Sequence, residues 1–270
     1  GHMPEINNRS KDFFYINTSD PAEMADTVIG LVTKRLPGYT GAAPMDIQVL
    51  GALKSGLCGV ENLNNRLQDA LNPRVYGKNE INVGSHLFRV GDKVMQTANN
   101  YELPFVKFGE GAPEQGQGIF NGDIGHIKTI DRNNGIVEVW YDDNRLATYG
   151  EAELTDLTAA YAITIHKSQG SEFDVVVIPL VSGPPTLINR NLLYTAITRA
   201  KRAVVLVGSK KILAMMVHNN YIAARTTNLC RFLQSEKVKY LRYFAEGAEA
   251  ESTDDYPEQM PDDIPADEEF

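Results

Sequence analysis

The chain has 270 residues, of which 43% are hydrophobic and 23% charged, a composition typical of a soluble globular protein of one or two domains. Its formal net charge of −9 is unevenly spread, because residues 246–270 hold eleven acidic and no basic residues, whereas residues 199–245 hold ten basic residues and one acid, Glu236. The acidic total therefore does not exclude a nucleic-acid partner, since charge acts locally.

The sequence disfavours disulfides, metal sites and membrane spans. Cys58 and Cys230 lie far apart, which favours reduced thiols in a cytoplasmic protein. The lone residues His86, His126 and His218 lack the spacing of metal ligands, and no apolar stretch approaches the roughly 20 residues that cross a bilayer. We therefore expect no bound metal and no membrane partner.

The N-terminal part alternates strand and helix patterns. Asp20 and Glu23 flank a proline in the arrangement of a capping box, and Pro37-Gly38 is expected to end the helix that begins there. In chain order we expect a strand at 13–16, a helix at 21–35, a buried strand at 46–53 and a helix at 60–71. This order predicts an α/β layer.

The middle of the chain, about residues 88–157, has turn signals at short intervals between alternating segments, which predicts a small antiparallel barrel or meander with an exposed loop at 109–118. After it the α/β pattern resumes, with a strand at 174–180, a helix at 186–200, a strand at 203–208 and a helix from residue 209. A β-module inserted into an α/β domain is the simplest account. The acidic, proline-containing end at 246–270 predicts a disordered tail.

Two polar segments stand out among apolar neighbours. Residues 164–173 (TIHKSQGSEF) supply a cation, an imidazole, three hydroxyls and an amide, and Gly170 would permit close backbone approach to a phosphate. From composition alone, this segment fits a solvent-exposed loop between two strands as well as it fits a phosphate-binding site. Residues 192–202 end in basic residues, and Arg199 is suited to bind a phosphate. Basic residues at the end of a helix also complement the helix dipole, and without further observations this second explanation is the better one.

A phosphate-binding loop of the G-x-x-x-x-G-K-[ST] type is missing. The one Gly-Lys pair, Gly77-Lys78, is followed by Asn79, and no predicted strand ends in paired acids that would hold Mg²⁺. The chain alone is therefore not expected to hydrolyse a nucleotide. Residues 1–3, Gly-His-Met, are typical of a cleavage and cloning scar, so we expect a piece of a longer protein.

TIHKSQGSEF at 164–173 and LLYTAITRAK at 192–201 resemble motifs V and VI of superfamily 1 DNA helicases, in the RecD-like 5′-to-3′ branch (the exodeoxyribonuclease V alpha-subunit family). The segments at 46–56, 59–73, 88–103, 119–127 and 225–233 also resemble that family, so the resemblance covers roughly residues 12–235. One departure lies at Lys54: the family usually has Ser/Ala-Pro-Met before Lys-x-Gly, whereas this chain has Gly51-Ala52-Leu53, and we assign Lys54 no role on this basis.

The resemblance implies a RecA-like parallel-sheet domain at 12–98 and 158–235, an inserted SH3-like β-barrel at 99–157, a lead-in at 1–11 and a C-terminal extension at 236–270. It further implies single-stranded DNA and a missing N-terminal RecA-like domain as partners, a bacterial cytoplasmic location, and subunits of a nuclease complex as further candidates. ATP and Mg²⁺ would serve the full-length enzyme, with none bound by this chain alone.

The resemblance also implies roles for individual residues. Arg199 would be the catalytic arginine that reaches the γ-phosphate. The residues near the nucleotide would be Gln169, Gly170, Glu172, Thr198 and Arg199, with Tyr194 supporting the arginine. The residues that contact the DNA backbone would be Thr164, His166 and Lys167.

Two other accounts remain open. The chain would also fit a stand-alone DNA- or protein-binding module without enzymatic activity, and an upstream phosphate-binding loop would separate the two. A related helicase branch ends its last motif in Ala-Leu-Ser-Arg, which residues 195–199 (TAITR) disfavour.

Overall fold

A computed structural model describes residues 6, 8, 11–84, 86–221, 231–235 and 239 of the chain. Residues 1–222 form one compact unit. Residues 223–270 form a second, of which 231–235 and 239 are described and are helical. The predicted disordered tail at 246–270 and Cys230 lie outside the described residues.

The described part of the first unit contains fourteen strands and five α-helices. The strands are β1 (Phe13–Asn17), β2 (Ile47–Gly51), β3 (Glu80–Val83), β4 (His86–Arg89), β5 (Lys93–Gln96), β6 (Asn100–Lys107), β7 (Glu114–Ile119), β8 (Ile124–Asp131), β9 (Ile136–Tyr141), β10 (Arg145–Tyr149), β11 (Leu157–Ala159), β12 (Ala162–Thr164), β13 (Phe173–Leu180) and β14 (Ala200–Gly208). The helices are α1 (Pro21–Gly30), α2 (Leu36–Thr40), α3 (Val60–Leu71), α4 (Arg190–Ile197) and α5 (Lys210–His218).

Five strands form a parallel sheet in the order β1-β14-β13-β2-β12. Helices α1 and α3 pack on one face, and α4 and α5 on the other. In the central strand β13, Val175 and Val177 point to the first face and Val176 and Ile178 to the second, each at most 1% exposed. A strand buried on both faces reads as a continuous apolar run, so the predicted α/β class with a parallel sheet is confirmed.

The first helix continues past its predicted end at Pro37-Gly38, so that prediction is wrong. Its start is as predicted, because the Asp20 carboxylate accepts a hydrogen bond from the Glu23 amide at 2.8 Å. Proline lacks an N–H and crowds the carbonyl four residues earlier. A π-helical turn at Leu31–Arg35 precedes Pro37 and widens the helix, so α2 passes through the proline and ends at Gly41, which has φ +72°.

Seven strands form an antiparallel sheet in the order β11-β5-β8-β9-β10-β6-β7, inserted in the chain between β2 and β12. The pairings described do not join β7 to β11, so they form an open sheet and not a closed barrel. The predicted loop at 109–118 is wrong in its second half, because β7 pairs with β6. A Cβ on Gly116 would lie 2.5 Å from the Phe105 ring, so this glycine serves strand packing.

A buried polar network joins the two sheets at Asp92, which is fully buried in the turn before β5. Its Oδ2 accepts hydrogen bonds from Gln68 Nε2 (2.5 Å) and the Arg89 amide (2.7 Å), and its Oδ1 from Asn72 Nδ2 (2.6 Å) and the Tyr161 hydroxyl (2.8 Å). Every oxygen lone pair is used, which is what makes a buried carboxylate tolerable. The network holds Tyr161 directly before β12.

Candidate functional site

The segment at 165–172 runs between opposite ends of the parallel sheet. Thr164 ends β12 beside Gly51, at the carboxyl edge of the sheet, whereas Phe173 and Ala200 pair at the amino ends of β13 and β14. The residues predicted to bind DNA therefore lie at the carboxyl edge, and most of those predicted to bind the nucleotide lie toward the amino edge.

The carboxyl-edge end is a short 3₁₀ turn at Ile165–Ser168. The Thr164 hydroxyl accepts a hydrogen bond from the Lys167 amide at 3.4 Å, and the buried Ser168 hydroxyl donates to the Ile165 carbonyl at 2.7 Å. These bonds fix the backbone and leave the His166 and Lys167 side chains exposed. Ser168 is thus a structural residue of this turn, a role that the sequence does not reveal.

Lys167 faces a second cation. Although its side chain is exposed, partial desolvation of the ammonium lowers the pKa of Lys167 below the usual value, and the charge of Lys54 lowers this pKa further. Both lysines line a cavity of about 450 Å³ with Thr164, Glu61 and His86. The site therefore presents concentrated positive charge beside the end of β12.

Helix α4 is shorter than the predicted span of 186–200. Asn189 caps it by accepting a hydrogen bond from the Leu192 amide at 2.9 Å, and the chain leaves the helix after Ile197 to enter β14 at Ala200, before the predicted strand start at 203. The predicted site residues Thr198 and Arg199 thus lie in the tight connection between helix and strand.

Two backbone carbonyls and one hydroxyl hold the Arg199 guanidinium. Its Nη1 donates to the Ser171 carbonyl at 3.0 Å, its Nε to the Thr195 carbonyl at 3.3 Å, and its Nη2 to the Thr198 hydroxyl at 3.4 Å. A guanidinium has five N–H donors, so two of them are without a partner in the part of the chain that the structure describes. Ser171 and Thr195 contact the arginine through backbone carbonyls. Because every residue type has such a carbonyl, the sequence does not identify these two residues as partners.

The other residues predicted near the nucleotide flank the partners of this arginine in the sequence. Gly170 has φ +89° and open space where a Cβ would be, and Gln169 is exposed. Glu172 lies 3.6 Å from Lys201 in an exposed ion pair, which contributes little stability in water. Tyr194 is 70% exposed on α4.

The aromatic residues of the antiparallel sheet divide into core and surface. Phe88 and Tyr141 are buried in its hydrophobic core. On the surface, Phe108 stacks on Trp140 at 5.4 Å between ring centroids, and the Lys128 ammonium lies 4.9 Å from the Trp140 ring. Exposed aromatic rings beside a cation are a common feature of proteins that bind single-stranded nucleic acid.

Within the described residues, no helix is long and apolar enough to span a membrane, and no group of three or more His, Cys, Asp or Glu side chains is arranged to hold a metal ion.

Comparisons with known proteins match both parts of the fold. Residues 63–141 match the family described as "ATP-dependent RecD-like DNA helicase SH3 domain", and residues 159–207 match the "UvrD-like helicase C-terminal domain". The resemblance to RecD-like superfamily 1 helicases is therefore confirmed. The first match overlaps the predicted insertion at 99–157 and begins earlier, within α3.

Two curated relatives are the ATP-dependent RecD2 DNA helicase of Deinococcus radiodurans, 32% identical over 64% of this chain and 21% of the relative, and the RecBCD enzyme subunit RecD of Mycolicibacterium smegmatis, 33% identical over 71% of this chain and 30% of the relative. This chain thus spans only about a fifth to a third of their length. Among solved structures, a Bacteroides Pif1 helicase in complex with ADP-AlF3 and ssDNA is 18% identical, with a TM-score of 0.42 over 78% of this chain and 49% of that chain.

Proposed function

We propose that this chain is the C-terminal portion of an ATP-dependent 5′-to-3′ DNA helicase of the RecD-like type. It would supply the second RecA-like domain (12–98 and 158–235) with its β-insertion (99–157). The single observation that carries this proposal is the continuity of residues 164–172. The segment starts with Thr164 at the carboxyl edge of the sheet, and near its other end the Ser171 carbonyl accepts a hydrogen bond from Arg199.

The proposed nucleotide role rests on Arg199. Two of its donors have no partner among the described residues and its guanidinium is oriented by three oxygens, so it would need little reorganisation to contact a γ-phosphate bound by a preceding domain. An arginine supplied in this way stabilises the charge that develops during phosphoryl transfer. Gln169, Gly170, Glu172 and Thr198 would surround the same nucleotide.

ATP would bind in the longer protein, with Mg²⁺ neutralising its phosphates. The phosphate-binding loop and the acids that hold the ion would come from the preceding domain. This chain alone would therefore bind neither and would show no DNA-stimulated ATPase activity.

The proposed DNA role rests on Thr164, His166 and Lys167. The turn at 165–168 is fixed by Ser168, so exposed side chains are presented from a rigid backbone. Closure and opening of the two RecA-like domains would move this turn along the strand, because Ser171 and Arg199 connect it to the nucleotide end.

The test is steady-state ATP hydrolysis by the longer protein with saturating oligo(dT). Arg199→Ala is expected to lower kcat by about a thousandfold or more. Arg202→Ala is the matched control, because Arg202 is two residues into β14 and pairs with Asp174 at 3.4 Å. Turnover by Arg199→Ala within a few fold of the unmodified protein would refute the assignment of Arg199. Absence of DNA-stimulated turnover in the unmodified longer protein would favour a binding module without enzymatic activity.

A further inference from the structure

The cavity at the carboxyl edge of the parallel sheet is enclosed by three elements of the fold. It lies between the loop that follows β2, the first turns of α3 and the end of β12, and its volume is about 450 Å³. The ionisable side chains that line it are Lys54, Glu61, His86 and Lys167.

The charge in this cavity is unbalanced. Lys54 and Lys167 form no ion pair within the described residues, and Glu61 is the one acidic side chain that lines the cavity. Two ammonium groups that line the same cavity repel each other, and an anion placed between them would relieve that repulsion. The site is therefore built for a negatively charged ligand.

The backbone that carries Lys54 is locked against α3. The Leu53 and Lys54 carbonyls accept hydrogen bonds from the Val60 and Glu61 amides, each at 3.0 Å. A Cβ on Gly59 would lie 2.4 Å from the Ser55 carbonyl oxygen, so only glycine permits this close approach. These contacts with α3 fix the backbone of the loop that carries Lys54.

We propose that Lys54 is a second phosphate-binding residue, which together with Lys167 binds adjacent backbone phosphates of single-stranded DNA in this cavity. The inference rests on the proposed function, and it adds a contact from the loop after β2, where the family pattern departs from this sequence. An ammonium suits this role as a point charge that needs no fixed geometry. Glu61 lies beside the same phosphates and weakens the attraction.

The test is fluorescence anisotropy of fluorescein-labelled (dT)12 titrated with the 270-residue chain at 25–200 mM NaCl. Each phosphate contact contributes about 0.7 to the slope of log affinity against log salt for a single strand. Lys54→Ala is expected to reduce that slope by about 0.7 and to weaken binding roughly three- to tenfold at low salt. Lys54→Arg keeps the charge and should keep the slope.

Two further variants test the effect of the acidic residue in the cavity and provide a control. Glu61→Gln is expected to strengthen binding, because it removes the opposing charge from the cavity. Lys34→Ala removes an exposed positive charge from the turn between α1 and α2, away from the cavity, and should leave the slope unchanged. A circular dichroism spectrum like that of the unmodified chain must accompany each variant.

The outcomes separate this inference from the proposed function. A reduced slope for Lys167→Ala with an unchanged slope for Lys54→Ala would overturn the role of Lys54 and leave the DNA-binding proposal in place. Unchanged slopes for both would overturn both. Displacement of the oligonucleotide by inorganic phosphate, at constant ionic strength and millimolar concentration, would show a site for free phosphate and would also overturn the inference.

Discussion

Asp92→Asn is expected to destabilise the chain strongly, since it changes the centre of a network that is shielded from water. The replacement keeps one oxygen, which can still accept from Asn72 and Tyr161, but its new NH₂ group faces two donors, Gln68 Nε2 and the Arg89 amide. Two hydrogen bonds to a charged group are lost, and each contributes about 1.5–3 kcal/mol. The lower desolvation cost of a neutral amide offsets part of this loss.

The expected decrease in the free energy of unfolding is therefore about 3–5 kcal/mol, a large fraction of the 5–15 kcal/mol that a typical domain has. Urea unfolding followed by the fluorescence of Trp140, the single tryptophan, measures it. Asp69→Asn is the control, because the Asp69 side chain is 71% exposed and also bonds Arg89, so a change below about 1 kcal/mol is expected. A decrease for Asp92→Asn no larger than that of the control would refute the reasoning.

Two further predictions concern Lys93 and Gly59. Burial lowers the pKa of Lys93 to about 8, so above that pH the unfolded chain binds more protons than the folded chain, and the free energy of unfolding rises with pH. Urea unfolding of the unmodified chain should show a rise of about 1.5 kcal/mol between pH 8 and 9.5, and Lys93→Met should remove it. Equal pH profiles for the two proteins would contradict this prediction. Gly59→Ala should lower the free energy of unfolding by about 1–3 kcal/mol and weaken (dT)12 binding, because the new methyl group displaces the loop of Lys54. The control Gly38→Ala has open space around its Cβ and should leave stability unchanged or raise it. An unchanged stability for Gly59→Ala would show that the loop can shift freely.

Local chemistry made much of the fold predictable. The Asp20 cap, the apolar run of β13 and the helical spacing in α3 each follow from a few neighbouring residues, and the structure has them where the sequence predicts. Pro37 and Gly116 were misleading because their roles depend on more distant contacts. A π turn makes room for the proline, and the Phe105 ring requires the glycine.

The site was predictable in its residues but not in its layout. Residues 164–173 form one polar cluster in the sequence, yet the register of β12 and β13 places their two ends at opposite edges of the sheet. The partners of Arg199 are carbonyls of Ser171 and Thr195, which every residue type carries. Lys54 became a candidate only through its position beside Lys167.

We propose that residues 164–172 join a DNA-binding end to a nucleotide-binding end. The most direct test measures oligo(dT) affinity and ATP turnover in parallel for Arg199→Ala and Lys167→Ala in the longer protein. We expect Arg199→Ala to lose turnover while its affinity stays within about twofold, and Lys167→Ala to lose affinity and salt dependence while keeping turnover at saturating DNA. Loss of both quantities together in each variant, or of neither, would contradict the account.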